Sequence, residues 1–204
     1  MVRPYVRGNV KLTEQLLQYM NVPRKLWNAK LELVPVCARA EVAKYLKDFY
    51  EAAEEGYGLV LRGMPQTGKS SVAALVAKRA RVLGFTVSFV TFFDLRELLR
   101  TEETLSGAPA LDRCRDVDVL VLDGFSETDR PDRFAGEALL RSLVTTRGDR
   151  KQVTIVTTTV DAKTWREDIL PGIPYLHDLT LRGDDALFGS SEAERRKAFF
   201  KGTK

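Results

Sequence analysis

The sequence predicts an α/β fold in which a parallel β-sheet is covered by helices on both faces. Five short apolar runs alternate with helical stretches, which is typical of strands joined by helical crossovers. The runs are rich in residues that favour strands, and their alternation with helices predicts a parallel sheet covered on both faces. The chain has 204 residues, 44% of them hydrophobic and 29% charged, which suffices for a core and excludes wholesale disorder. We therefore expect one α/β domain with short additions at its ends.

The individual elements follow from local patterns. Strands are predicted at 58–62, 86–91, 117–122, 153–158 and 178–182. Helices between them are predicted near 69–83, 94–100, 132–146 and 161–169. Upstream, apolar residues at helical spacing predict a helix over 12–20, stopped by Pro23, and another over 40–55, ending at Gly56. Downstream, Ser191 and Glu194 form a capping box that opens a basic helix over 192–201.

The net charge of +4 is unevenly distributed. Residues 1–30 carry six basic and one acidic side chain, and residues 191–204 carry five basic and two acidic ones. The stretch between them is therefore mildly acidic. Basic ends permit contact with nucleic acid or an acidic partner, although the charge alone establishes neither.

Composition also excludes several kinds of protein. No apolar run approaches the roughly 20 residues that span a bilayer, and no secretion signal opens the chain, so we expect a cytoplasmic protein without a membrane partner. Cys37 and Cys114 fit neither a disulfide framework nor a metal site. His177 is the only histidine, which rules out a paired histidine site; we expect it to be partly buried and structural.

A phosphate-binding loop follows the first predicted strand. It fits the pattern G-x-x-x-x-G-K-[ST], and with the next residue it comprises Gly63, Met64, Pro65, Gln66, Thr67, Gly68, Lys69, Ser70 and Ser71. The glycines let backbone N–H groups surround a phosphate, and the helix that follows adds its positive N-terminal end. Lys69 would then reach the β- and γ-phosphates of ATP, and the Ser70 hydroxyl would bind Mg²⁺.

The third predicted strand supplies the second part of such a site. Its apolar run ends in Asp123, a carboxylate that would hold Mg²⁺ together with Ser70. A complete strand, 86–91, lies between the two motifs in sequence, and we expect it to lie between them in the sheet too. Among proteins with such a phosphate-binding loop, that arrangement favours the ATPase-like branch over small kinases and GTPases.

Further segments resemble the AAA+ ATPases of the bacterial DnaC and IstB type. Similar stretches are 56–63 leading into the loop, 87–95, the run 154–159 with Trp165 after it, 179–184, and 22–31 upstream. The resemblance covers about residues 20–185. It implies a P-loop NTPase with an AAA+-like, five-stranded parallel sheet between helices, and the chain's length implies a reduced or absent C-terminal lid. The implied organisation is an N-terminal helical extension over 1–21, an ATP-binding domain over 22–190 and a basic helix over 191–204.

The resemblance also implies roles that this sequence fills only in part. Relatives follow the magnesium aspartate with a second acid that orients water, but here Gly124 follows, and Glu127 either substitutes or points into solvent. Thr159 takes the place of a polar sensor that is usually Asn. Arg147 aligns with an arginine of relatives and either acts across a subunit interface or is a solvated surface residue. Between Thr159 and Gly183, Arg166 and Arg182 are the only arginines available as a finger. ATP would then be bound tightly and hydrolysed slowly.

Three functions remain open from the sequence. The first is a helicase loader that uses ATP as a switch to deliver a replicative helicase onto single-stranded DNA, working as a homo-oligomer or in a helicase-bound assembly. The helix over 12–20 would then be the handle that docks on the helicase. The second is an IstB-type transposition helper that assembles on DNA with ATP. The third is a P-loop kinase for a small molecule, which the extra strand argues against.

Overall fold

The computed structural model describes residues 10–102, 108–126, 133–171, 173 and 175–181. All five predicted strands are present in these ranges: β1 (Gly58–Arg62), β2 (Val87–Thr91), β3 (Val119–Phe125), β4 (Val153–Thr158) and β5 (Leu176–Thr180). The helices are α1 (Glu14–Tyr19), α2 (Val36–Lys47), α3 (Phe49–Glu54), α4 (Lys69–Val82), α5 (Phe92–Glu102), α6 (Ala108–Asp116), α7 (Arg133–Asp149) and α8 (Ala162–Thr164). Two 3₁₀ turns (Arg24–Leu26 and Leu31–Leu33) follow α1, and a π-helical turn (Trp165–Ile169) follows α8.

The five strands form one parallel sheet in the order β2-β3-β4-β1-β5. The prediction that the strand over 86–91 lies between the two motif strands is therefore wrong, because β4 occupies that position and β2 lies at the edge. Helix α4 connects β1 to β2 and packs against both of them and against β4 and β3, the two strands that lie between them. Sequence order alone does not reveal such a crossing.

Two apolar layers cover the sheet. On one face α4 lies against it, with α1, α2, α3 and the segment between α1 and α2 packed around α4. On the other face lie α5, α6, α7 and the π-helical turn, with buried residues such as Leu95, Leu111, Leu140 and Ile169. The central strands β1 and β4 are buried along their whole length, as expected for parallel strands that are covered on both faces.

Helix α1 packs on the domain that contains the sheet, whereas the prediction placed it outside that domain. Leu17 and Met20 are buried in the layer that contains α4. The Met20 carbonyl also accepts a hydrogen bond from the Phe89 N–H at 2.8 Å, so the chain after α1 covers part of the outer edge of β2. Four residues of α1 are exposed: Glu14, Gln15, Gln18 and Tyr19.

Arg147, near the end of α7, is fully buried with 0% of its surface exposed. Its guanidinium donates to carbonyl oxygens of α6, of the α6–β3 connection and of β4, and to one hydroxyl: Cys114 O at 2.8 Å, Val117 O at 2.9 Å, Asp118 O at 3.3 Å, Val153 O at 2.8 Å and Thr154 Oγ1 at 3.0 Å. Burial lowers the Arg147 pKa to about 10, which still leaves the side chain charged at neutral pH. Both readings of Arg147, as an interface residue and as a solvated one, are wrong, because its donors bind within the domain.

Several other predictions are corrected or fall outside the described residues. His177 is exposed on the edge strand β5, where Nε2 pairs with Glu41 Oε1 at 2.6 Å. The predicted helix over 161–169 consists of the short α8 and the π-helical turn. The C-terminal helix, Arg182 and any lid lie beyond the described residues. None of the helices described is long and apolar enough to cross a membrane.

Candidate nucleotide-binding site

The phosphate loop connects β1 to α4 and has the backbone conformation that its glycines predict. Gly68 has φ of 89° and Gln66 has φ of 66°, both in the left-handed region. For Gln66 this conformation costs energy, and such strain persists only where the surrounding structure enforces it. The Thr67 hydroxyl helps to fix the loop by donating to the Met64 carbonyl at 2.9 Å. The loop is therefore a closed turn whose shape is set by its own residues.

Gly63 begins the loop and admits no side chain. Its φ is 153°, and a Cβ there would collide with the Leu181 carbonyl oxygen and lie against Thr67 Oγ1. The second glycine of the loop pattern, Gly68, precedes α4, and no side chain caps that helix. The amide groups of the first turn of α4 can therefore point at an anion, and the dipole of this 14-residue helix favours negative charge there.

Lys69 lies within this loop. Its Nζ donates to the carbonyl oxygens of Gly63 at 2.7 Å and Met64 at 2.6 Å. Burial lowers the Lys69 pKa, and the nearby Asp123 carboxylate opposes that change. A buried cation held against carbonyl dipoles is well placed to exchange those contacts for phosphate oxygens.

Asp123 joins the loop to the centre of the sheet. Its Oδ1 accepts a hydrogen bond from Ser70 Oγ at 2.8 Å and another from Thr157 Oγ1 at 2.7 Å. The structure thus brings together the two residues predicted to hold Mg²⁺, and it adds a third that the sequence analysis missed. Alternation along β4 could have indicated Thr157, because it shares a face with Val153 and Ile155, which pack towards α4.

The residue after Asp123 has an unusual conformation. Gly124 has φ of 91°, and the pairing of β3 with β4 shifts register between Leu122 and Phe125. The Gly124 N–H donates to Thr157 Oγ1 at 2.8 Å. A β-bulge therefore occupies the position at which the resemblance implies a second acid.

The other predicted residues lie elsewhere. Thr159 is exposed just beyond the end of β4, and its N–H donates to the Phe125 carbonyl at 3.3 Å. Arg166 pairs with Asp178 at 3.2 Å, with 69% of its side chain exposed. Glu127 lies outside the described residues. The roles proposed for Thr159, Arg166 and Glu127 stay predictions.

The residues of this site fit ATP with Mg²⁺. The loop offers amide groups and one lysine to phosphate, and the Ser70–Asp123 pair offers oxygen ligands of the kind Mg²⁺ prefers. Across the described ranges, no group of three or more His, Cys, Asp or Glu residues could hold a metal ion. In nucleotide sites, one or two protein ligands of Mg²⁺ are completed by phosphate oxygens and water.

The loop, the aspartate on β3 and the interposed strand β4 together define a P-loop fold of the AAA+ type. The family described as "IstB-like ATP binding protein" matches residues 43–177, about two thirds of the chain. The chain therefore belongs to this IstB-like ATP-binding family. No curated protein matches it in sequence.

Solved structures share the fold. The DnaC helicase loader aligns with a TM-score of 0.62 and 22% identity, over 78% of this chain and 100% of that one. DnaI aligns with a TM-score of 0.64 and 22% identity, over 80% and 96%. The replication initiator DnaA bound to AMPPCP and single-stranded DNA aligns with a TM-score of 0.59 and 15% identity, over 80% and 51%. At these identities the comparison supports the fold and no finer assignment.

Proposed function

We propose that this protein is a helicase loader that uses bound ATP as a switch and hydrolyses it slowly. The observation that carries this proposal is the combination of a complete phosphate site with Gly124 at the position of the second acid. Such a site would bind ATP, and at position 124 it offers no carboxylate to activate water. We carry the partner over as a proposal from the DnaC helicase loader, whose fold this chain shares.

The side chains would divide the work as follows. Lys69 would leave the loop carbonyls and bind the β- and γ-phosphates, while the amides of the loop and of α4 surround them. Ser70 and Asp123 would hold Mg²⁺, which when bound offsets the charge of the phosphates. Thr159 and Arg166 remain candidates for contacts that depend on the γ-phosphate. The partners would be a replicative helicase and single-stranded DNA, with the protein acting as a homo-oligomer or within the helicase assembly.

A two-part experiment tests this proposal. The purified chain is mixed with the replicative helicase of its host in ATP or ADP, and complex formation is measured by native mass spectrometry. Loading is measured as helicase retained on circular single-stranded DNA. We expect an ATP-dependent complex and loading with the natural chain, and neither with Lys69→Ala. The control Lys163→Ala, which changes an exposed lysine outside the loop, should retain both. ATP turnover should fall well below the ~1–10³ s⁻¹ common among enzymes.

The IstB-type transposition helper is the second candidate, and the family match favours it. It predicts ATP-dependent assembly on duplex DNA and no affinity for a helicase. Filaments on duplex DNA in electron micrographs, together with an absent helicase complex, would replace the loader proposal with this one. A small-molecule kinase is disfavoured, because β4 separates the two motif strands.

A further inference from the structure

Thr157 occupies a position that connects the proposed magnesium ligand to the backbone. It lies near the end of β4 and is only 1% exposed. Its hydroxyl lies between the Asp123 carboxylate, 2.7 Å away, and the Gly124 N–H, 2.8 Å away. A buried hydroxyl with two such partners is held in one orientation.

The direction of both hydrogen bonds is fixed by chemistry. A carboxylate only accepts and a backbone N–H only donates, so the Thr157 proton points at Asp123 and an oxygen lone pair faces Gly124. Asp123 Oδ1 therefore receives donors from two sides, Ser70 on α4 and Thr157 on β4. These two contacts define where the carboxylate plane lies.

The bulge at Gly124 makes this arrangement possible. In a regular parallel strand the Gly124 N–H would join the ladder to a neighbouring strand. Here φ of 91° and the shift of register direct it to a side chain instead. The glycine at the position of the second acid thus supplies the N–H donor that orients the Thr157 hydroxyl.

We propose that Thr157 is a positioning residue that holds Asp123 towards Ser70 and thereby sets the Mg²⁺ affinity of the nucleotide complex. This inference rests on the proposed function, since it needs ATP and Mg²⁺ at this site. Hydrogen-bonded partners of metal ligands change metal affinity by about 10–100-fold when they are removed. Thr157 acts on the metal through Asp123 and touches neither nucleotide nor metal itself.

The test compares Thr157→Val, which keeps the shape and removes the hydroxyl, with Thr157→Ser, which keeps the hydroxyl. Fluorescent ATP is titrated first in EDTA, which gives the nucleotide affinity without Mg²⁺. The titration is then repeated at increasing Mg²⁺, which gives the Mg²⁺ concentration that produces half of its effect on ATP binding. We expect Thr157→Val to raise that concentration about 10-fold or more, with nucleotide affinity in EDTA unchanged. Thr157→Ser should remain within about twofold of the natural chain.

Thr154→Val is the matched control, because Thr154 lies on the same strand and bonds Arg147 instead of Asp123. Its Mg²⁺ dependence should be unchanged even if its stability falls. Thr157→Ala provides a second variant in case the valine does not fold, and the same shift is expected for it. Mg²⁺ dependence that is equal in the Thr157→Val and natural proteins would overturn the inference while leaving the proposed function intact. If the natural chain itself binds ATP with no Mg²⁺ effect, the proposed site fails, and this inference fails with it.

Discussion

At Gly124 the backbone conformation limits which side chain the position can carry. With φ of 91° it occupies a region that other residues enter only at a cost of roughly 1–2 kcal/mol. Its N–H is committed to Thr157, and a Cβ there would meet no atom within 4 Å. Space alone would therefore admit a side chain, and it is the backbone that resists one.

A glutamate at this position should consequently fail to create a working base. We expect Gly124→Glu to lower the free energy of unfolding by about 1–2 kcal/mol and to leave ATP turnover no higher than in the natural chain. The measurements are a denaturant titration and a phosphate-release assay. Gly124→Asn is the control, since asparagine tolerates the left-handed region better and should cost less stability. A large gain in turnover with Gly124→Glu would show that the bulge does not limit the site.

Arg147 is the residue at which a structural role replaces an expected functional one. We expect Arg147→Met to lower the free energy of unfolding by roughly 3–5 kcal/mol, as is typical when one partner of a buried charged network is removed. Arg147→Lys should also destabilise, because an ammonium cannot reproduce the planar set of donors. Arg150→Met, at a side chain that is 55% exposed, should change stability by less than about 0.5 kcal/mol. The structural role of Arg147 would be contradicted if a folded Arg147 variant bound nucleotide with an affinity very different from that of the natural chain.

At the scale of elements, α1 has two different faces. Leu17 and Met20 pack into the core, and Met20 also pairs with the edge of β2. Tyr19 is 67% exposed, and the Arg113 guanidinium lies 4.7 Å from the centre of its ring. Removing the whole N-terminal segment would therefore remove core residues along with any docking surface, so substitutions on each face are the better test of a helicase handle.

We expect Leu17→Ala to cost about 2–4 kcal/mol of stability through the cavity it leaves. Tyr19→Ala should cost less than about 1 kcal/mol, the size of an exposed cation–π contact. If α1 is the handle, Tyr19→Ala should weaken the helicase complex while its melting temperature stays close to that of the natural chain. An unchanged helicase affinity in this variant would mean that Tyr19 takes no part in docking.

These elements also show what a sequence can predict here. Apolar runs and the G-x-x-x-x-G-K-[ST] pattern predicted every strand and the loop, because both depend on neighbours in the chain. Strand order, the burial of Arg147 and the contact of Thr157 with Asp123 depend on which segments meet in space. Thr157 and Thr159 look equivalent in sequence, but β4 ends at Thr158, so only Thr157 reaches Asp123.

At the scale of the whole molecule, a buried ion pair adds to the backbone ladder that joins the edge strand β5 to β1. Arg62 on β1 binds both carboxylate oxygens of Asp178, at 3.1 and 2.7 Å, and donates to the Val160 carbonyl at 2.7 Å. Its guanidinium also lies 5.7 Å from the centre of the Trp165 ring. One side chain thus links β1, β5 and the segment that follows β4.

We expect Asp178→Asn to lower the free energy of unfolding by about 3–5 kcal/mol, because it leaves the Arg62 charge buried without its partner. Hydrogen exchange followed by mass spectrometry should show faster exchange in β5 than in β3. Asp112→Asn is the control, since it alters an exposed pair with Arg115 and should have almost no effect. Uniform loss of protection across all strands would indicate that β5 does not open separately.

The contact between Gly63 and Leu181 has a consequence for communication along the chain. The Leu181 N–H donates to the Arg62 carbonyl at 2.6 Å, and its own carbonyl oxygen lies where a Gly63 side chain would be. The end of the described chain therefore rests on the residue that opens the phosphate loop. Leu181 therefore links the residue after β5 directly to the residue that opens the phosphate loop, and a change of backbone conformation at Gly63 would be transmitted to it first.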